Sequence, residues 1–155
     1  MGSNLGERRK NLEKALWLLQ GTSLMVKRSS SLYETEPFGI RNQREFMNLA
    51  CEIAYSLGPE QLLERCLQVE DQLGRRKTHR NGPRLIDIDI VFFGREVIDL
   101  DHLQVPHPRR MERRFVLVPL TEIAPNFMDP VTGHTVSRML EQCQDSSWVR
   151  KISQD

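Results

Sequence analysis

Gly82-Pro83-Arg84-Leu85-Ile86-Asp87-Ile88-Asp89-Ile90-Val91-Phe92-Phe93-Gly94 is the stretch that decides the fold class and locates the chemistry. Between Leu85 and Phe93, Ile86, Ile88, Ile90 and Phe92 alternate with Asp87, Asp89, Val91 and Phe93, the two-residue period of a strand, before Gly94 turns the chain. The isoleucines predict a face against the core. Asp87 and Asp89 leave the opposite face together, where both carboxylates can meet one hard cation or a pair of them. Mg²⁺ prefers oxygen ligands and is usually held by one or two carboxylates plus substrate phosphates. Two aspartates lining the wet side of a half-exposed strand are the plainer alternative.

What precedes this strand favours the metal-and-phosphate reading. Arg75-Arg76-Lys77-Thr78-His79-Arg80-Asn81-Gly82-Pro83-Arg84 places five Lys or Arg ahead of it with no acid among them. Guanidinium forks match phosphoryl oxygens in two-point geometry, and cations there stabilise charge that develops during phosphoryl transfer. A second basic group, His107-Pro108-Arg109-Arg110-Met111-Glu112-Arg113-Arg114, is placed to close the other side of a polyphosphate. Taken singly, each group also reads as a solvated basic surface or a nucleic-acid patch. Neither the GxxxxGK[ST] phosphate loop, the GxGxxG dinucleotide loop nor a Ser-His-Asp elbow is present.

Outward from the strand, the rest of the chain alternates helices and strands. Gly2 to Gly6 reads as a loop, and Leu12, Ala15, Leu16 and Leu19 then recur at helical spacing until Gly21. Leu24 to Thr35 and Phe46 to Tyr55 read as strands, separated by the break at Pro37 and Gly39. Pro59 suits the first turn of a second helix carrying Leu62, Leu63, Cys66, Leu67 and Val69, which ends near Gly74. Val97 to Val105 predicts a short hairpin-like excursion, Arg113 to Ile123 a helix, and Ser137 to Gln144 a last short one. That order predicts one α+β domain over residues 1–155, with helices packed on an open sheet.

Composition narrows the function classes. Lys+Arg 22 against Asp+Glu 21 leaves a formal charge of +1, so any electrostatic function is local and no global field recruits nucleic acid. Cys51, Cys66 and Cys143 are far apart and lack metal-ligand spacing, as reduced thiols of a cytoplasmic protein would be. The sequence contains no run of apolar residues long enough to span a membrane and no signal-peptide pattern.

Gly82 to Ile90, together with Val105-Pro106-His107-Pro108-Arg109-Arg110 and Gly2-Ser3-Asn4-Leu5-Gly6, resembles the hydroxymethyl-dihydropterin pyrophosphokinases of folate biosynthesis. Tyr33 to Gly39, Phe46-Met47-Asn48, Leu73-Gly74-Arg75, Phe115 to Leu120 and Glu122 to Pro125 agree in order, so the resemblance covers nearly the whole chain. It implies a ferredoxin-like α+β fold and transfer of diphosphate from ATP to the hydroxymethyl oxygen of 6-hydroxymethyl-7,8-dihydropterin, with release of AMP. By position, Asp87 and Asp89 would hold two Mg²⁺ ions, with Arg75 and Arg84 beside them as catalytic cations. Glu70, Lys77, Arg84, Ile90, His107 and Arg113 would meet ATP. Phe46 and Phe115 would sandwich the pterin, while Asn48 and the backbone of Thr35, Glu36 and Phe38 read its polar edge. The resemblance also implies a cytoplasmic monomer acting on two small molecules, without nucleic acid or membrane.

Some positions depart from the family pattern. Lys77 stands where a second arginine is common, Asn81 where an aromatic is frequent, Leu67 where a polar nucleotide contact occurs, and Pro108 where a tyrosine does. The usual strand ahead of Gly-Ser-Asn is lacking, which predicts exposed sheet edges and, with them, reduced stability or non-native self-association. Two other readings remain open at this point: a catalytically impaired homologue that only binds ligand, and a nucleic-acid-binding ferredoxin-like module.

Overall fold

A computed structural model describes residues 1–74 and 82–153. The architecture is α+β: helices packed on antiparallel sheet. Strands β1 (Gly2–Ser3), β3 (Tyr33–Thr35), β4 (Phe46–Asn48) and β8 (Val149–Lys151) form a sheet in the order β1-β4-β3-β8. Strands β2 (Leu24–Ser29) and β5 (Cys51–Tyr55) pair antiparallel beside it, with a register shift between Val26 and Arg28. A separate hairpin joins β6 (Ile98–Leu100) to β7 (Leu103–Val105), as the sequence predicts.

Helices α1 (Arg8–Leu19) and α2 (Pro59–Gln72) bury one stripe each. Leu12, Ala15 and Leu19 of α1 meet Leu62, Cys66 and Val69 of α2, with Leu24, Met47, Leu49 and Ile86 completing the core. Pro59 opens α2, where its missing N–H costs nothing, and Gly74 follows its end at φ +81°, a left-handed turn that favours glycine. Helices α3 (Arg114–Ile123) and α4 (Val136–Gln142) pack together, and Thr135 caps α4 by accepting the Arg138 N–H.

Four expectations are corrected. Leu24 to Thr35 is not one strand, since β2 ends at Ser29 and β3 begins at Tyr33. Gly2-Ser3 is not loop: it is a strand hydrogen-bonded to β4 on one side and bridged on the other to Asp87, whose N–H and C=O both bond Gly2 at 2.8 and 2.9 Å. Leu85 to Phe93 is not a ladder strand beyond that bridge. Its backbone finds other partners: Ile88 N–H donates to the Glu70 carboxylate at 2.7 Å, and Val91 C=O accepts the His107 N–H at 2.9 Å. The alternation persists in part, since Ile86 is fully buried and Ile88 and Ile90 pack on the core. Phe46 to Tyr55 is likewise split at Leu49-Ala50 into β4 and β5. There Ser30 Oγ accepts the Ala50 N–H, a side chain taking the place of a ladder partner.

Candidate active site

Strands β3 and β4 build one end of a cavity of about 890 Å³. Antiparallel register sets Thr35 opposite Phe46 and Tyr33 opposite Asn48. Asn48 Nδ2 donates to Thr35 Oγ1 at 2.7 Å, and both residues are buried, which fixes the orientation of the amide. Gly2 makes room for it: a Cβ there would stand 2.3 Å from Asn48 Oδ1 and 3.7 Å from the Phe46 ring. Phe38 and Phe115 line the same cavity and pack against each other, ring centroids 5.9 Å apart and planes tilted at 52°. Aromatic faces around a buried carboxamide suit a flat heteroaromatic ring with a polar edge.

The charged end is made of acid–arginine pairs. Arg84 donates to Asp87 at 2.8 Å and Arg113 to Asp89 at 3.2 Å. Each guanidinium also lies near a ring, Arg84 at 5.9 Å from the Phe46 centroid and Arg113 at 5.8 Å from that of Phe115. The two ends of the cavity are therefore in direct contact. Arg109 lies 5.0 Å over Phe38 and pairs with Glu112 rather than lining the cavity.

Among the described residues of the cavity, Arg113 has unspent capacity. Burial pushes its pKa down, while Asp89 beside it pushes the other way. Its Nε is buried with no partner among the described residues. A buried guanidinium with an unmet N–H favours an incoming anion. Behind it, burial pushes the His107 pKa down, with Asp89 opposing. His107 Nδ1 accepts the Arg109 N–H at 3.1 Å, and Nε2 lies 3.5 Å from Arg113.

The donor set also bears on a metal. Asp87 and Asp89 both line the cavity with partly exposed carboxylates, and the described residues contain no cluster of three or more metal-ligating side chains. Two hard oxygen donors without a full protein cage fit Mg²⁺ that is shared with substrate phosphates.

Residues 1–125 match the family model described as 7,8-dihydro-6-hydroxymethylpterin-pyrophosphokinase. The chain belongs to that family. A 2-amino-4-hydroxy-6-hydroxymethyldihydropteridine pyrophosphokinase of Bacillus subtilis (strain 168) is 49% identical over 124 residues, which are 79% of this chain and 74% of the relative. The Synechocystis sp. protein of the same name is 37% identical over 143 residues, 92% of this chain and 73% of that one. The Pneumocystis carinii "Folic acid synthesis protein fol1" is 42% identical over 145 residues, 94% of this chain but 20% of the relative. The chain thus spans about a fifth of such longer relatives.

Set within this pyrophosphokinase family, the residues expected to form the site mostly converge. Thr35, Glu36, Phe38, Phe46, Asn48, Arg84, Asp87, Asp89, Ile90, Arg113 and Phe115 all line the one cavity. His107 stands behind its wall, against Arg113. Glu70 does not line it: the carboxylate is buried and accepts the N–H of Ile88, the residue between the two acids, so it holds that segment in place. Arg75 and Lys77 lie outside the described residues. Sequence reasoning assigned no role to Gly2, Asn4 or Asn11. Asn11 on α1 donates to Ser3 Oγ, Leu5 O and Leu85 O at 3.2, 2.9 and 3.3 Å, tying the front of the chain to the acid-bearing segment. Its signal is a polar residue one position before Leu12 on the buried stripe.

Proposed function

We propose that this chain transfers diphosphate from ATP to the hydroxymethyl group of 6-hydroxymethyl-7,8-dihydropterin, releasing AMP, as a step in folate biosynthesis. The observation that carries the proposal is the joining of two half-sites in one cavity, Asn48 and Phe46 at one end and the Asp87–Arg84 and Asp89–Arg113 pairs at the other. Names of relatives that cover most of their length, such as the Bacillus subtilis protein, support it.

The pterin is held flat by Phe46 and Phe115, with Asn48 and the backbone of Thr35, Glu36 and Phe38 at its edge. Arg84 and Arg113 exchange part of their pairing with the aspartates for ATP phosphate oxygens, joined by Arg75, Lys77 and His107. The substrate hydroxyl oxygen attacks the β-phosphorus in line, and the bond from that phosphorus to the α,β-bridging oxygen breaks, so that oxygen leaves with AMP. Asp89 orients the hydroxyl and takes up its proton. Asp87 and Asp89 would hold two Mg²⁺ ions, which supply neutralisation of phosphate charge. The protein's own contribution is alignment and fixed charge rather than covalent chemistry.

For the fold, we take the sheet as ferredoxin-like, with β1 among its strands. We also infer a cytoplasmic monomer without nucleic-acid partners, supported by the three free cysteines and the near-neutral charge. Among the described residues no helix is long and apolar enough to cross a membrane.

Incubation with ATP, Mg²⁺ and the hydroxymethyl pterin, followed by separation of nucleotides and pterins, tests the activity. AMP and a pterin diphosphate in equal amounts are expected. Tight pterin binding with no AMP would favour the impaired homologue, and salt-dependent oligonucleotide binding alone would favour the nucleic-acid module.

A further inference from the structure

We infer that Asn4 is a positioning residue that sets the phosphate half of the site against the pterin half; the inference rests on the pyrophosphokinase reading of the cavity. Asn4 is fully buried, and its hydrogen bonds reach two different segments. Its Oδ1 accepts the Arg84 N–H at 2.8 Å, and its own N–H donates to Arg84 C=O at 3.1 Å. Its Nδ2 donates to Arg44 C=O at 3.1 Å and to Gln43 Oε1 at 3.0 Å.

The first of these segments leads into the acids, since the Arg84 side chain reaches Asp87. The second leads within two residues to Phe46, which lines the cavity beside Asn48. Neither residues 82–85 nor residues 41–45 belong to a helix or a strand. β1 joins the half-sites at Gly2, through its bonds to β4 and to Asp87, and Asn4 continues that link where the ladder ends. The Asn4 carboxamide bridges them from one buried point. An amide is required, because the bridge uses an acceptor toward Arg84 and two donors toward residues 43 and 44. Aspartate lacks the donors, and an apolar side chain lacks both.

In-line attack requires reacting atoms to approach to about 3–3.5 Å, and a displacement of about 1 Å far from the chemistry costs about 100-fold in rate. Loosening the bridge shifts one half-site relative to the other while leaving the contacts inside each half intact. The signature is a loss in kcat without a matching loss in affinity for either substrate. A residue needed only for folding would lower stability or weaken both ligands together.

The test compares the parent chain with Asn4→Ser and Gln43→Ala. Turnover is followed as AMP release, and dissociation constants are measured separately for the pterin and for a non-hydrolysable ATP analogue. Asn4→Ser is expected to lower kcat about 100-fold with both dissociation constants within about threefold of the parent. Gln43 is only partly buried, and Gln43→Ala removes one contact of the bridge, for a fall in kcat of about fivefold. Should Asn4→Ser lose its circular dichroism signal, Gln43→Ala decides alone. Folded variants with kcat within twofold of the parent, or with weakened binding and unchanged kcat, overturn the inference. A parent that forms no pterin diphosphate overturns the reading of the site and the inference with it.

Discussion

Asp89 and Gly2 concentrate the chemistry and the space of the site into single positions. Asp89 is about a third exposed and pairs with Arg113, so its removal takes a charge from the cavity wall without opening the core. Asp89→Asn is expected to lower AMP formation by at least about 100-fold, in the range lost when one preorganised electrostatic group is deleted, while Tm moves little. Turnover within tenfold of the parent would count against the assignment. Gly2 tests the other half-site. Gly2→Ala brings a methyl to 2.3 Å from Asn48 Oδ1, and the buried bond to Thr35 leaves that amide little freedom. Affinity for the pterin should fall about tenfold while the ATP analogue binds as before; equal binding of both by calorimetry would show that Asn48 is not a pterin contact. Sequence spacing made Asp89 visible, because a strand period and a basic flank are local signals. Gly2 stayed hidden because its constraint comes from a side chain 46 positions away.

At the scale of elements, residues that read as one strand often divide where a side chain replaces a ladder bond. Ser30 does this at Ala50, and Glu70 does it at Ile88. Periodicity reports which face is apolar, and it did so for Ile86, but it is silent about which backbone groups find partners elsewhere. Helices were more legible, since Leu12, Ala15 and Leu19 or Leu62, Cys66 and Val69 announce a stripe whatever it packs on. What locks α1 to the sheet was not legible at all: Arg8 donates to Glu34 of β3 at 2.8 Å and to Glu45 C=O at 2.8 Å, and Arg150 of β8 reaches the same Glu34 at 2.6 Å. Hydrogen bonds from Arg8, then Arg150, hold the Glu34 carboxyl below its ordinary value of 4.5 against the opposing effect of burial. A carboxylate lowered in this way stabilises the fold fully above pH 4.5, and that contribution is lost as pH falls through the lower folded value. Urea unfolding should therefore show stability dropping below pH 4.5, and Glu34→Gln should flatten that drop while costing about 1 kcal/mol at pH 7. An unchanged acid limb would remove Glu34 from the account.

The whole molecule adds a feature that neither residues nor elements predict singly. The cavity does not stop at the acids but runs on past Ile53 and Tyr55 of β5 toward Leu62, Cys66, Ile90 and Phe93. Among the described residues β5 pairs only with β2, and the stretch after Asp87 has no ladder partner, while residues of both line the apolar trough. Met1 and Gly2 line the same cavity. The Met1 ammonium donates to Leu49 C=O at 2.8 Å and sits near enough to Cys51 to oppose the upward push of burial on that thiol. Apolar sequence was enough to predict a core around Ile86, but the trough arises from where three segments end relative to one another, which no local pattern encodes. An engineered extension of four β-branched residues ahead of Met1 would carry the charge out of the trough and lay side chains against Ile53, Tyr55 and Ile90. Burying two such side chains contributes about 3–6 kcal/mol before the entropy of ordering them, and a net gain of about 2 kcal/mol raises Tm by about 4–8 °C in a protein of this size. Identical Tm for the two proteins would mean that the trough is not a strand site.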